Sequence, residues 1–162
     1  MGNSGGLSQR LDAHDEAAFP DLNDSGYRVA SPKDSAYNCI SFAAGDTTRK
    51  WSPTLIPVPG YYWPSGAERR DGPEALQSRF EQLGYECCDD GKPEEAYEKI
   101  ALYVDADGMW SHAAKLQENG GWVSKLGEIE DIWHQSEHCF ANSIYGHVFR
   151  YMRRKTTGES QL

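Results

Sequence analysis

The sequence predicts a single α+β domain in which a short N-terminal helix bearing Cys39 packs on a small antiparallel sheet. Two observations favour this class. Helix signals, namely a capping residue, helix formers and a terminating glycine, occur between Asn38 and Gly84. From Ile100 onward, compact apolar runs alternate with turns rich in Asp, Asn and Gly. Helices followed by a series of strands are typical of α+β proteins.

Length and charge restrict the function classes. A chain of 162 residues is long enough for one domain with a true core. The 25 acidic residues outnumber the 16 Lys and Arg, for a net charge of -9. An acidic surface repels phosphate groups, so neither nucleic acid nor an anionic membrane is the expected partner. The expected partner is a protein or peptide.

The cysteines and the N-terminus indicate a cytoplasmic protein. Cys39, Cys87, Cys88 and Cys139 show no spacing of a disulfide framework. The first residues contain no apolar segment of a secretory signal, and no run reaches the length of a membrane span. We therefore expect reduced thiols in a soluble chain.

Composition divides the chain into three parts. Residues 1–19 are rich in Gly and Ser and then acidic, which predicts a flexible arm. Residues 20–153 form the domain, and residues 154–162 are a polar tail. Inside the domain, residues 46–73 are proline-rich and irregular, and a loop of this length is usually functional or wrapped over the core.

The first helix is predicted from Asn38, a good N-cap, to the terminating Gly45. Tyr37 and Phe42 have the spacing of a hydrophobic staple, which places Cys39 in the first turn. A start at Asp34 or Ser35 would instead bury Cys39 one turn deeper.

The other elements follow from apolar periodicity. Residues 74–83 are predicted to form an amphipathic helix and residues 94–98 a helical turn. Residues 128–140 are ambiguous and compatible with a helix. Strands are predicted at 85–88, 100–104, 110–117, 122–126 and 148–152, with the second, third and fourth forming an antiparallel meander.

Cys39 is the candidate nucleophile. A helix N-terminus presents free amides and a positive dipole end, which favour the reactive thiolate. The other interpretation is that Cys39 is a small, buried, apolar residue, the commonest role of cysteine.

His112 is the candidate base, because it lies in the central predicted strand beside small residues. Ser124 lies twelve positions later, across a hairpin, and can share a face with His112 and orient its ring. Asp131 and His134 are alternatives for this third role, and Ser124 can equally be an ordinary strand serine.

The aromatic loop is the candidate substrate-binding region. Trp51, Tyr62 and Trp63 are predicted to flank the cleft, together with Asn38 beside the nucleophile. The alternative is that these rings hold the long loop on the core.

Metal and cofactor sites are not predicted. His134, His138 and Cys139 would share a helix face but lack a fourth zinc ligand. Residues 105–108 begin like a calcium loop, yet position 116 is Leu where a bidentate Glu is needed, so a turn is sufficient. No phosphate-binding glycine motif is present.

Several phrases resemble an uncharacterised bacterial domain family, over roughly residues 35–152. They are YNCI at 37–40, AGDTTR at 44–49, LGYE at 83–86, CDDG at 88–91, HAA at 112–114 and WVSKLG at 122–127. This resemblance implies no established activity. The order of helix Cys, strand His and a later polar residue is more remotely similar to papain-like cysteine peptidase and amidase domains of the NlpC/P60 type.

The papain-like resemblance implies Cys39 as nucleophile and His112 as base. Ser124 departs from that pattern, since such enzymes usually have His, Asn, Asp or Gln in the third position. The resulting hypothesis is a papain-like cysteine hydrolase that cleaves a peptide or amide bond. The alternative is a catalytically inactive protein-binding module, of inhibitor or immunity type, on the same scaffold.

Overall fold

The computed structural model describes residues 10–156 and has a mixed α+β architecture, which confirms the predicted class. One seven-stranded sheet dominates, with all pairings antiparallel. The helices are short. They are α1 (Ala13–Ala17), α2 (Leu22–Ser25), α3 (Cys39–Ala43) and α4 (Glu74–Gln82).

The nine strands within residues 10–156 form two sheets. They are β1 (Tyr27–Ser31), β2 (Lys50–Trp51), β3 (Tyr61–Tyr62), β4 (Glu86–Cys88), β5 (Tyr97–Val104), β6 (Trp110–Leu116), β7 (Trp122–Lys125), β8 (Asp131–His134) and β9 (His147–Lys155). The large sheet has the order β1-β8-β7-β6-β5-β9-β4, and β2 pairs with β3 in parallel.

The predicted meander of β5, β6 and β7 is confirmed by this strand order. The β5–β6 turn contains Asp105, whose side chain accepts the amides of Asp107 and Met109 at 2.9 and 3.0 Å. Strand β6 pairs with β7 only at Lys115 and Leu116, so the two strands separate toward the N-terminal part of β6.

Two predicted segments differ from the structure. Residues 128–140 contain strand β8 followed by turns, because β8 completes pairing with β7 and β1 and buries Ile132 and His134. Residues 94–98 form a turn that leads into β5 instead of a helical turn, and Ala96 there has a positive φ of 69°. Tertiary pairing therefore overrides weak local preference in both segments.

The packed domain begins before Pro20, where the sequence predicted it to start. Leu11 and Phe19 are buried and contact the sheet in the same cluster as Leu22. Asp12 caps α1 by accepting the amide of Asp15 at 2.8 Å. The rest of the predicted arm, residues 1–9, lies outside the described residues, as do residues 157–162 of the predicted tail.

Two apolar layers cover the two faces of the large sheet, because successive strand side chains point to opposite faces. The α3–α4 layer contains Cys39, Ile40, Leu76, Phe80, Leu102, Ala113 and Met152. The second layer, named here the histidine layer for the imidazoles that pack in it, contains Phe19, Leu22, Ala101, Tyr103, Trp122, Ile132, Phe140 and Tyr145.

Candidate functional site

The start of α3 is fixed by Asn38, as predicted. Its side-chain oxygen accepts the amide of Ser41 at 3.2 Å, and the Ser41 hydroxyl accepts the amide of Asn38 at 2.9 Å, which completes a capping box. The Asn38 amide group also donates to the carbonyl of Trp51 at 2.9 Å. Asn38 is therefore a buried structural link between α3 and β2.

Cys39 occupies the first turn of α3 but is only 5% exposed and packs in the α3–α4 layer. Burial raises the pKa of its thiol to about 11, although the backbone amide of Ala113 and those of the helix start oppose the shift. Desolvation thus outweighs the helix N-terminus, and the thiol is protonated at neutral pH.

His112, Ser124 and His134 form a buried hydrogen-bonded chain across β6, β7 and β8. His112 Nε2 lies 2.9 Å from Ser124 Oγ, and Ser124 Oγ lies 2.7 Å from His134 Nε2. All three residues are fully buried. The structure thus brings the predicted pair of His112 and Ser124 together and adds a second imidazole.

The acceptor at one end of the chain assigns the protons. His134 Nδ1 lies 2.9 Å from the carbonyl of Ser136, which can only accept, so Nδ1 carries the proton. His134 Nε2 then accepts from the Ser124 hydroxyl, and Ser124 Oγ accepts from His112 Nε2. This leaves His112 Nδ1 as a buried acceptor without a partner.

The surroundings keep both imidazoles neutral. His112 stacks on Tyr145 with ring centroids 4.0 Å apart, and Phe140 meets its ring edge-on at 5.0 Å. Burial, with a contribution from His134, holds the pKa of His112 well below its usual value. Burial lowers the pKa of His134 to about 4.

No hydrogen bond joins Cys39 to His112 among the described contacts. His112 Nε2 is engaged by Ser124, its Nδ1 has no partner, and its ring packs in the histidine layer. The next strand residue, Ala113, points to the other face and belongs to the layer that contains Cys39. The structure therefore does not assemble the thiol–imidazole hydrogen bond on which the predicted dyad depends.

The alternatives for the third role have different partners. Asp131 accepts the Tyr37 hydroxyl at 3.2 Å and also the Ser31 hydroxyl. Burial raises the pKa of Asp131. Its side chain therefore braces β1 and the entry to α3, whereas His134 joins the chain with His112.

Sequence reasoning missed the buried Lys125, and it considered Cys139 only as a zinc ligand beside His134 and His138. Lys125 is fully buried and donates to the carbonyls of Gly127, at 3.0 Å, and Ile129. Cys139 Sγ lies 3.4 Å from His134 Nδ1, and burial raises the pKa of this thiol to about 12. A lysine inside an apolar strand was the available signal for Lys125, and the spacing of His134 and Cys139 was the signal for their contact.

The predicted substrate-binding rings pack on the core. Trp51 and Trp63 are 4% and 6% exposed, and their centroids lie 6.2 Å apart in an edge contact. Tyr62 is half-buried against Trp51, and the Arg49 guanidinium lies 3.4 Å from the Tyr62 ring centroid. These contacts hold the long loop on the core, and substrate binding by the rings stays a prediction.

One group within residues 10–156 has three potential metal ligands close together: Asp12, His14 and Asp15. All lie at α1, and the Lys33 ammonium is 3.6 Å from Asp12 and 3.8 Å from Asp15. A protein cation thus already offsets part of the charge of the two carboxylates. Two surface cavities of about 580 Å³ each lie elsewhere, and Cys39 lines neither.

Exposed large apolar side chains are concentrated at one end of the sheet. Within the described residues they are Leu55, Ile56, Val58, Met109 and Ile144, here named the apolar end. Ile56 and Ile144 are 79% and 75% exposed. They come from three loops, namely residues 52–60, the β5–β6 turn and residues 141–146.

Backbone contacts join these three loops. Asp71 accepts the amide of Leu55 at 3.0 Å with its side chain and the amide of Trp110 at 3.0 Å with its carbonyl. Gly146 lies against the end of β5, because a Cβ on it would meet the Val104 carbonyl and lie 3.0 Å from Asp105 Cα. The three loops therefore adjoin one another at the end of the sheet where β5 ends and β6 begins.

Fold and site together define an α+β domain with a fully packed antiparallel sheet and buried, neutral histidines. The chain belongs to the family described as Domain of unknown function (DUF7689), whose match spans residues 28–153. This confirms the resemblance to an uncharacterised domain family. No curated protein and no solved structure matches the chain.

Membrane insertion through a helix finds no support in the described part of the chain. None of the helices between residues 10 and 156 is long and apolar enough to cross a bilayer.

Proposed function

We propose that this domain is a protein-binding module whose contact surface is the apolar end. The observation that carries the proposal is the placement of all five large, exposed, apolar side chains of the described residues on three adjoining loops. Scattered apolar residues are normal on a protein surface, but contiguous ones mark interaction sites.

The loop of residues 52–60 is held in one conformation, which favours binding. The Thr54 hydroxyl donates to the carbonyl of Ile56 at 2.8 Å, and Arg69 donates to the carbonyl of Thr54 at 2.9 Å. Arg70 donates its amide to the carbonyl of Pro53 at 2.9 Å. A loop ordered before binding loses less conformational entropy on association.

The competing proposal is the papain-like cysteine hydrolase, with Cys39 as nucleophile, His112 as base and Ser124 as orienting group. Its support is the position of Cys39 at the helix start and the His112–Ser124 hydrogen bond. The buried, protonated thiol and the absence of a described Cys39–His112 hydrogen bond favour the binding module.

Site-specific photocrosslinking tests the binding module. Benzoylphenylalanine at position 56 of the full chain should yield a discrete crosslinked product in extracts of the native cells. The same probe at Asn119, in the exposed turn at the opposite end of β6, should not. Excess wild-type protein should compete for the product, whereas excess Ile56→Asp protein should not. Equal products from both positions would contradict the proposal.

Alkylation separates the two proposals. Iodoacetamide at pH 7 should modify the exposed Cys87 first and leave Cys39 unmodified in the folded protein, as read by peptide mass spectrometry. The Cys39→Ala variant should give the same crosslinked product as the wild type. Selective alkylation of Cys39 that is slowed by His112→Ala would instead support the hydrolase.

A further inference from the structure

The loops of the apolar end are braced by aspartates. Asp71 accepts the amide of Leu55, Asp105 accepts the amide of Met109, and Asp21 accepts the side-chain amide of Asn142 at 2.8 Å. Each aspartate thus fixes one of the three loops that present exposed apolar side chains. The negative charges needed for this bracing lie beside the apolar surface.

The charged side chains around the apolar end are mostly acidic. The loops of residues 52–60 and 141–146 contain no charged side chain, while the flanking segments 68–74 and 105–109 contain five carboxylates and two guanidiniums. Arg70 pairs with Glu68, and Arg69 donates to the Thr54 carbonyl while keeping its charge, so the carboxylates of these segments exceed the guanidiniums by three (five minus two). Asp107 and Glu74 are exposed. The apolar end is therefore an uncharged surface with an acidic rim.

We infer that the partner of the apolar end is a basic protein, which places an apolar contact at the centre and Lys or Arg side chains against the acidic rim. This inference rests on the proposed function and names the class of partner. An apolar centre with a charged rim matches the usual anatomy of protein interfaces. Complementary rim charge accelerates association and selects the partner.

The same charge disfavours two other occupants. A second copy of this chain, with a net charge of -9, would bring one acidic rim against another. A membrane surface rich in anionic lipid would be repelled for the same reason. A basic protein is the occupant that satisfies both the apolar and the acidic parts of the surface.

A pair of designed peptides tests the inference with the full chain. One is an amphipathic helical peptide of Leu and Lys, and the other replaces each Lys by Glu. The Leu/Lys peptide should bind and shift the backbone amide resonances of residues 55, 56, 58, 109 and 144, and its Kd should increase with salt. The Leu/Glu peptide should bind at least ten-fold more weakly.

Charge reversal at matched turns completes the test. Asp107→Lys should raise the Kd of the Leu/Lys peptide about five-fold at low salt, the size expected for one surface ion pair. Glu118→Lys carries the same charge change in the exposed β6–β7 turn at the opposite end and should change the Kd less than two-fold.

Failure of the basic-partner inference can be distinguished from failure of the proposed binding function. Equal binding of both peptides at the apolar end would overturn the basic partner and leave the binding module standing. The inference would also be overturned if the Leu/Lys peptide shifted amide resonances outside the apolar end, or if the two charge reversals changed its Kd equally. Failure of the crosslinking experiment at position 56 would remove the proposed function itself.

Discussion

The α3–α4 layer and the histidine layer cover opposite faces of one sheet, yet they treat buried polar groups differently. The α3–α4 layer contains the Cys39 thiol among aliphatic and aromatic side chains, and burial raises the pKa of that thiol to about 11. The histidine layer contains two imidazoles joined through Ser124. A neutral thiol tolerates an apolar environment, whereas an unpaired imidazole nitrogen is costly there, and three of the four imidazole nitrogens of His112 and His134 have partners.

Burial alone therefore does not identify a reactive residue. Cys39 has the sequence signature of a nucleophile, but its environment favours the protonated form. His112 has a hydrogen-bond partner of the expected kind, but that partner connects it to His134. Substitutions in each layer test these assignments.

Among these substitutions, loss of the Phe80 side chain from the α3–α4 layer should lower the stability of the protein most. Phe80 is fully buried, and its ring meets that of Tyr85 edge-on with centroids 5.4 Å apart. Phe80→Ala should lower the free energy of unfolding by about 3–5 kcal/mol, because it leaves a cavity in a close-packed core. Urea denaturation followed by tryptophan fluorescence measures the loss. Leu55→Ala, an exposed control, should change stability by less than about 0.5 kcal/mol.

The histidine layer should make the protein sensitive to acid. The pKa of His134 is about 4 in the folded protein and about 6.5 when unfolded, so the unfolded chain binds more protons between these values. The contribution of a neutral His134 to the free energy of unfolding is therefore fully present above pH 6.5, and it is lost as the pH is lowered toward 4. The loss attributable to His134 is about 3 kcal/mol, measured by urea denaturation across this range.

A matched pair of variants checks this origin. His134→Gln should reduce the dependence of stability on pH and leave the part that arises from His112, whereas His138→Gln, at an exposed imidazole, should leave the dependence unchanged. Identical pH profiles for both variants would show that His134 is not the source.

Ser124 should be the next most important residue of the histidine layer. Ser124→Ala removes the hydroxyl that satisfies one nitrogen of each imidazole and leaves both nitrogens buried. The expected loss is about 2–3 kcal/mol in thermal or chemical denaturation. Ser65→Ala, on the exposed loop, is the control. A neutral Ser124→Ala variant would mean that the chain of hydrogen bonds is not stabilising.

Removal of the Cys39 thiol should have the smallest effect on the free energy of unfolding. Cys39→Ala removes one buried sulfur from the α3–α4 layer and should cost about 1 kcal/mol, typical of a small truncation. Cys87→Ala, at the exposed cysteine of edge strand β4, should be neutral in the same denaturation assay. Stabilisation by Cys39→Ala would indicate a strained site instead of a packed one.

Local sequence patterns predicted much of the secondary structure. Asn38 and Gly45 mark α3 because capping and termination are local interactions. The turns at residues 105–108 and 119–121 predicted the meander for the same reason. Strand β8 could not be predicted from residues 128–140, because its partners β1 and β7 lie elsewhere in the sequence.

Some features of the candidate site could also be predicted from local sequence, and others could not. The proximity of His112 and Ser124 followed from hairpin geometry, a short-range relation between neighbouring strands. The fate of Cys39 depended on which residues of α4, β5 and β6 enclose it, and no local pattern contains that information. The apolar end was also invisible, since residues 52–60, 109 and 144 become neighbours only through the fold.

Local sequence was sufficient to predict the α+β class, the position of α3, the central meander and the acidic charge, because these depend on composition and on interactions between residues close in the chain. Tertiary structure alone decided that Cys39 is desolvated, that His112 reaches His134 through Ser124, and that the exposed apolar side chains converge. The physical reason is that burial and hydrogen-bond partners are properties of the assembled layers, set by contacts between segments distant in sequence.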